Sequence, residues 1–215
     1  MKNKREKLSI FFNILIIIFV GCGAVISMNT ATPGTGLSVK GIANLKFFTV
    51  LSNLFSGVVA VLWVIFCFLG KKFPILLKMI AVASVGLTFF IIAAFLQPMN
   101  PQFNLYEGGN FWFHLVAPVV SMLDFIFLET DEKIPFKYTF IAAAASLVYG
   151  IGYLINLLVN GIGEWPDTND WYGFVTWGYP VGFGIFAFIV LLNFGIAVLF
   201  RALNIGVNKK LKKSP

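Results

Sequence analysis

Six long apolar runs constrain the fold of this chain more than any other feature. About 20 helical residues cross the hydrocarbon core of a bilayer, and each run approaches or exceeds that length. The runs are continuously apolar rather than alternating, which argues against membrane β-strands. The sequence therefore predicts an all-α, polytopic membrane protein in which residues 1–215 form a single six-helix domain. The predicted helices span 8–28, 47–69, 75–96, 111–128, 138–159 and 181–203.

Composition supports a membrane protein and leaves little sequence for a soluble domain. Only 12% of the residues are charged, whereas soluble domains have about 25%. The first apolar run follows a basic segment, as in a signal peptide, but it continues past Cys22 to Met28. We therefore expect this run to be a first transmembrane helix rather than a cleaved signal.

The positive charges predict the topology. With a cytoplasmic N-terminus, Lys40 and Lys46 are the only Lys or Arg residues of the 16 on the outer side. Because positive residues stay on the cytoplasmic side, both termini should be cytoplasmic. The net charge of +7 then reflects topology and contact with anionic membrane lipids, not nucleic-acid binding.

The two cysteines, Cys22 and Cys67, lie in different apolar runs and have no partner at a metal-binding spacing. They are expected to be small buried residues. The sequence contains no cofactor motif, and we expect neither a metal nor a cofactor.

Two polar residues far apart in the chain lie at nearly the same predicted depth. Thr49 is the third residue of the second run, and His114, the only histidine, is the fourth of the fourth run. Both runs start at the outer side, so these residues lie roughly 3 and 4.5 Å below its boundary, at 1.5 Å per residue. Each also has a structural interpretation, because a histidine can meet interfacial water and a threonine can bond to its own helix.

Other polar residues approach the same level and are candidates for a substrate or oxyanion pocket. They are Ser52, Asn53, Tyr153 and Asn156, each more typical of helix packing, together with Pro118. Pro118 lies one turn below His114 and removes a backbone hydrogen bond, which could kink the helix and open space there.

Asp124 is ten residues, about 15 Å, deeper than His114. Direct contact between the two is therefore not expected. We expect Asp124 to make structural polar contacts near the level of Asn13 and Arg201.

Several segments together resemble a known family. LKFFTVLSNLF (45–55), FWFHLVAPVVSMLDFIF (111–127), YGIGYLIN (149–156) and an aromatic-rich segment before the last helix resemble the androgen-induced, androgen-dependent family of multi-pass membrane proteins. The resemblance covers nearly the whole chain and all six spans. Its specific part is a Thr opening the second helix and a His, followed by Pro, opening the fourth.

The resemblance implies an intramembrane hydrolase of fatty-acid esters of hydroxy fatty acids or related acyl esters. From its composition we expect a bacterial relative, located in the cytoplasmic membrane. The family's threonine falls on Thr49 and its histidine on His114. The histidine would act as the base that activates the threonine. A third catalytic residue is not evident, although Glu164, Asp167 or Asp170 could fold over the site.

The donors for a developing oxyanion depend on where the second helix begins. If the helix begins near Leu45, its free backbone N–H groups could donate to the oxyanion. If it begins near Lys40, the candidate donors are Ser52, Asn53 and Tyr153. The main alternative function is a non-enzymatic small transporter or lipid-binding membrane protein, whose polar residues should line a path through the membrane.

Overall fold

The structure is a computed structural model, and it describes residues 4–30, 39–99, 101–102, 104–129, 134–164 and 168–213. It contains six helices that are long and apolar enough to cross a membrane, and no strand occurs among the described residues. The expectation of an all-α protein with six such helices is therefore confirmed. The helices are α1 (Lys4–Asn29), α2 (Phe48–Phe68), α3 (Ile75–Met99), α4 (Gly109–Leu128), α5 (Lys137–Asn160) and α6 (Tyr179–Lys213).

The last helix continues past its predicted end at residue 203, because its polar extension still has packing partners. Asn204 and Asn208 donate hydrogen bonds to the carbonyl oxygen of Glu129, at 3.0 and 3.1 Å. An apolar run marks only the part of a helix that lies in hydrocarbon, whereas polar contacts of this kind prolong the helix beyond it.

Helix α3 occupies the centre of the bundle and packs against α2, α4, α5 and α6. Small residues allow close helix approach, as is usual where membrane helices pack. A Cβ atom at Gly86 of α3 would lie 2.6 Å from the ring of Phe200 in α6, and one at Gly23 of α1 would lie 2.6 Å from the ring of Phe113 in α4. These two glycines therefore let aromatic side chains fill the spaces between helices.

Helix α4 contains two π-helical stretches, Trp112–Val116 and Asp124–Leu128, and α3 contains one, Ile92–Leu96. The first stretch includes His114 and ends just before Pro118, which has no N–H to continue the α-helical bonding. The wider π turn is thus found at the place where the sequence suggested a distortion. Such turns are frequent at functional sites.

The two ends of the bundle differ in their polar residues. We call the end where α2 and α4 begin the pocket end, and the end that contains Asp124 the network end. At the pocket end, a 3₁₀-helix (Gly41–Lys46) leads into α2. The described part of the last connection, 168–178, packs its aromatic residues against Tyr149 and Tyr153 of α5.

Candidate functional site

The imidazole of His114 is buried and held by the backbone of the preceding loop. Its Nδ1–H donates to the carbonyl oxygen of Leu105, at 2.5 Å. The N–H of Leu105 in turn donates to Gln97 Oε1 at the end of α3, at 2.9 Å. A proton on Nδ1 leaves Nε2 with a free lone pair, so the neutral ring can accept a proton at Nε2.

The hydroxyl of Thr49 is placed at the start of α2, as the second residue of that helix. The carbonyl oxygen of Thr49 accepts bonds from Asn53 and Ser52. The side-chain oxygen of Thr49, Oγ1, forms no hydrogen bond to any residue in the described part of the chain. The back-bonding to its own helix that is common for membrane threonines is therefore not seen here.

Thr49 and His114 line the same cavity, which has a volume of about 40 Å³. No hydrogen bond joins them among the described contacts, but the space is sufficient for a water molecule. Catalytic hydrogen bonds are often long before substrate binds and shorten in the complex. The two side chains thus border one space that could hold a bridging water, as proton transfer through a water would require.

Four further polar side chains line this cavity: Ser27, Asn44, Asn110 and Tyr172. The hydroxyl of Ser27 donates to the carbonyl oxygen of Gly23 in its own helix. The amide of Asn44 is used, since its Nδ2 donates to the carbonyl oxygen of Ser27, at 2.6 Å. The side chain of Asn110 makes no hydrogen bond within the described residues, and it lies one helical turn before His114. The side-chain N–H groups of Asn110 are thus available to donate to a bound molecule.

Tyr172 comes from the connection before α6 and closes the cavity from that side. Its hydroxyl accepts a hydrogen bond from the backbone N–H of Phe48, at 2.9 Å. Burial, together with the nearby Tyr149 hydroxyl, raises the pKa of Tyr172 well above its usual value. The phenol therefore stays protonated and neutral at any ordinary pH.

Helix α2 begins at Phe48, nearer to the first of the two predicted starts, but most of its first amides are occupied. The N–H of Phe48 bonds to Tyr172, and those of Val50 and Leu51 bond to the carbonyl oxygen of Phe47. These three amides are not available to an oxyanion.

Asn53 and Ser52 do not line the cavity but support it from below. Asn53 Nδ2 donates both to the carbonyl oxygen of Thr49, at 2.8 Å, and to that of Phe113, at 3.0 Å. It therefore links the backbone beside the hydroxyl to the backbone beside the imidazole. Ser52 Oγ donates to the same Thr49 oxygen and lies 3.2 Å from Thr88 Oγ1.

The remaining predicted pocket residues lie elsewhere. Tyr153 donates to the carboxylate of Asp170, and Asn156 accepts from Asn160 Nδ2 at 2.8 Å. Pro118 is buried one turn deeper than His114 and is not among the cavity residues that the structure describes. These three side chains face other neighbours because depth alone does not fix the direction in which a helical residue points.

The acidic residues of the last connection do not supply a third catalytic group in the described part of the chain. Asp170 is buried and accepts hydrogen bonds from Tyr153 and from the backbone N–H groups of Phe174 and Val175. It thereby fixes the shape of the connection. Glu164 is exposed, and Asp167 lies outside the described residues. The carbonyl oxygen of Leu105 is the group that orients His114.

Asp124 lies at the network end and has partners on several helices. Its carboxylate accepts from Ser9 and from Asn13 of α1, the latter at 3.0 Å, and pairs with Lys78 of α3 at 2.6 Å. Lys78 also lies 3.2 Å from Glu129 and 4.1 Å from the centre of the Trp63 ring. This arrangement agrees with a structural role for Asp124.

Two details of the network end go beyond the sequence interpretation. Lys78 is 5% exposed and lies inside the bundle. Arg201, which was expected near the level of Asp124, donates from its Nε to the carbonyl oxygen of Ile134. A buried cation needs a paired anion, and Asp124 and Glu129 provide it.

The site thus contains residues that the sequence analysis did not single out: Leu105, Gln97, Asn110, Asn44 and Tyr172. A backbone carbonyl has no sequence signal. Asn110 could have been found, because it precedes His114 by one helical turn.

No family model, curated protein or solved structure matches this chain in the comparisons with known proteins.

Proposed function

We propose that this protein is an intramembrane lipid-ester hydrolase in which Thr49 is the nucleophile and His114 the general base. The observation that carries the proposal is the shared cavity, into which an unpaired threonine hydroxyl and an oriented histidine both open. The resemblance to the androgen-induced, androgen-dependent family points to the same two residues from the sequence.

The chemistry requires an activated hydroxyl. His114 Nε2 takes the proton of Thr49 Oγ1 as that oxygen attacks the ester carbonyl carbon. The imidazolium then protonates the departing alkoxide, which leaves as the alcohol, and an acyl-threonine remains. Water attacks this acyl group while His114 again accepts a proton, and the acid and free Thr49 are released. The Leu105 carbonyl holds the Nδ1–H throughout and favours the required tautomer.

The developing oxyanion needs a donor in the cavity, and we assign this role to Asn110. Its side-chain amide opens into the same space and has no other partner among the described residues. A preorganised donor of this kind stabilises charge that appears only in the transition state.

The proposed substrates are fatty-acid esters of hydroxy fatty acids or related acyl esters. A site of this kind lies within reach of lipid, one or two turns into the helices that form the bundle. From the distribution of Lys and Arg, we further propose that both termini are cytoplasmic and that the protein resides in the cytoplasmic membrane of a bacterium. The pocket end then faces the outer leaflet.

A second candidate function, transport through the bundle, has one observation in its favour. Polar side chains continue from Asn53 toward the network end along α2 and α4, where Ser56 and Ser121 lie 3.2 Å apart. They border a cavity of only about 20 Å³, which has room for one water molecule. The space is too narrow for a solute, and this favours the hydrolase.

The test is hydrolysis of a palmitoyl ester of hydroxystearic acid by purified protein in detergent. We expect His114→Ala to lower kcat by about 10²–10⁴-fold and Thr49→Ala to abolish turnover above background. Thr30→Ala is the matched control, because Thr30 is exposed and bonds to its own helix at Ile26. Equal turnover in the wild type and both site variants would exclude the dyad.

A further inference from the structure

A second, larger cavity lies between α5 and α6 at the pocket end. Its volume is about 250 Å³, and its walls are almost entirely apolar. An apolar cavity of ~150 Å³ in a helical protein stays dry and accepts benzene. The space here is therefore large enough for a segment of hydrocarbon chain, and it contains nothing to attract a polar solute.

The mouth of this cavity opens toward the hydrocarbon of the membrane. Leu147 and Ile151 of α5 and Phe183 of α6 belong to its wall and are 41%, 48% and 54% exposed. These side chains lie on helices that are long and apolar enough to cross a membrane. At this position the neighbouring molecules are lipid chains, so a hydrocarbon chain is the occupant that can enter without losing any polar contact.

Contacting aromatic rings connect the wall of this cavity with the wall of the one lined by Thr49 and His114. Tyr172 lines the small cavity and Phe174 lines the large one, and their rings are stacked with centroids 5.2 Å apart. Tyr153, also in the wall of the large cavity, has its ring 5.9 Å from that of Tyr172. Tyr172 and the two rings that contact it therefore stand between the two spaces.

The backbone that carries these rings is held by a buried carboxylate. Asp170 accepts from Tyr153 and from the N–H groups of Phe174 and Val175. Two glycines of the wall, Gly150 and Gly182, let their neighbours pack closely. A Cβ atom at Gly150 would lie 1.5 Å from the ring of Phe186, and one at Gly182 would lie 2.8 Å from the Phe174 carbonyl oxygen.

We infer that the cavity between α5 and α6 is the acyl-chain site of the enzyme, which takes one unbranched hydrocarbon chain of the ester from the bilayer and directs its carbonyl past Tyr172 to Thr49. This inference rests on the proposed hydrolase function for its link to Thr49, whereas binding of the chain itself does not. Because a chain that comes from the bilayer gains packing contacts rather than hydrophobic transfer, the site should favour an acyl chain long enough to fill the cavity over a short one.

The first experiment compares turnover of 4-nitrophenyl palmitate and 4-nitrophenyl butyrate. Leu154→Trp places a large ring inside the cavity, and the ratio of palmitate to butyrate turnover should fall at least tenfold. Ile155→Trp is the matched control, since Ile155 is the next residue, is 54% exposed and is not part of the described cavity wall. Its ratio should equal that of the wild type, and an equal ratio in Leu154→Trp would overturn the inference.

A second variant and a second readout separate this inference from the proposed function. Leu147→Trp blocks the mouth instead of the interior and should lower the same ratio. Independently, palmitic acid carrying a diazirine is photo-crosslinked to the wild-type protein and the adducts are mapped by mass spectrometry. We expect adducts on the cavity residues of α5 and α6, and their loss in Leu154→Trp but not in Ile155→Trp.

The outcomes are distinguishable. If neither ester is hydrolysed but the adducts lie in the cavity, the hydrolase proposal fails and the chain site stands. If both esters are hydrolysed while adducts are spread evenly over the lipid-facing residues, the hydrolase proposal stands and the chain site is excluded.

Discussion

The two ends of the bundle are both polar, but they use their polar groups in opposite ways. At the network end, Asp124 and Lys78 satisfy each other and several neighbours, and the adjacent cavity holds about 20 Å³. At the pocket end, the hydroxyl of Thr49, Nε2 of His114 and the amide of Asn110 have no described partner and open into a shared cavity. Saturated polar groups hold helices together, whereas unsatisfied ones around a cavity can bind and react.

The same helices contribute to both ends, which makes the comparison informative. Asn53, Ser56 and Thr49 lie on α2, while His114, Ser121 and Asp124 lie on α4. A substitution at the network end should therefore change stability and leave turnover per folded molecule intact. A substitution at the pocket end should lower turnover and leave stability nearly unchanged.

The largest expected effect is at the network end. Asp124→Ala leaves the buried ammonium of Lys78 with Glu129 alone, and breaking a buried ion pair in this way costs about 3–5 kcal/mol of folding free energy. We expect a large drop in the thermal unfolding midpoint in detergent, with turnover per folded molecule unchanged.

The matched control for this prediction is the double variant Lys78→Met/Asp124→Leu, which removes both charges. Replacing a buried pair by apolar residues is often neutral, so the double variant should be more stable than Asp124→Ala. An Asp124→Ala protein that unfolds at the wild-type temperature would mean that the network is not what holds α1, α3 and α4 together.

A smaller effect is expected for Asn110→Ala, and it should be on kcat rather than on stability. Loss of one oxyanion donor lowers kcat by about 10²–10³-fold. The unfolding free energy should change by less than about 0.5 kcal/mol, because the side chain has no partner to lose among the described residues. Steady-state kinetics and thermal unfolding measure the two quantities.

Asn110→Asp serves as the control of the same size, since it keeps the shape but removes both N–H donors. It should be as slow as Asn110→Ala. An Asn110→Asp enzyme with wild-type kcat would show that Asn110 does not donate to the oxyanion.

The smallest effect is expected for Asn53→Leu, which acts between the two ends. The variant loses the bonds to the carbonyl oxygens of Thr49 and Phe113 and should cost about 1–3 kcal/mol of stability. Because Asn53 positions the two reactive residues relative to each other, kcat of the folded protein should also fall while KM changes little.

Ser56→Ala tests whether this loss of kcat is specific to positioning. Ser56 lies on the same helix, one turn deeper, and its partner is Ser121. It should leave kcat unchanged. If Asn53→Leu and Ser56→Ala have the same kcat, Asn53 is merely a packing residue.

Much of the fold could be predicted from the sequence because hydrocarbon imposes a simple rule. A bilayer requires helices of about 20 apolar residues, so the six runs specified the helices and counting from their ends gave the depth of Thr49, His114 and Asp124. The depths of Thr49 and His114 agree with their presence in one cavity.

The partners of these residues could not be predicted in the same way. Counting residues gives the level of a side chain along a helix but not the direction in which it points or the helix that lies opposite. For this reason Ser52, Asn53, Tyr153 and Asn156, all near the predicted level, turn to other neighbours. The pairing of Lys78 with Asp124, both buried, was likewise not predicted.

The sequence by itself thus determined that this chain forms six apolar helices, with a threonine and a histidine at similar depth. Only the tertiary structure decided that these two share a cavity, that a loop carbonyl orients the imidazole, and that a larger apolar cavity lies behind Tyr172. The free energy of transferring a helix from water to hydrocarbon depends on the composition of that helix, so a single segment is enough to predict it. A cavity and its hydrogen bonds depend on how several helices pack around it, and no single segment contains that information.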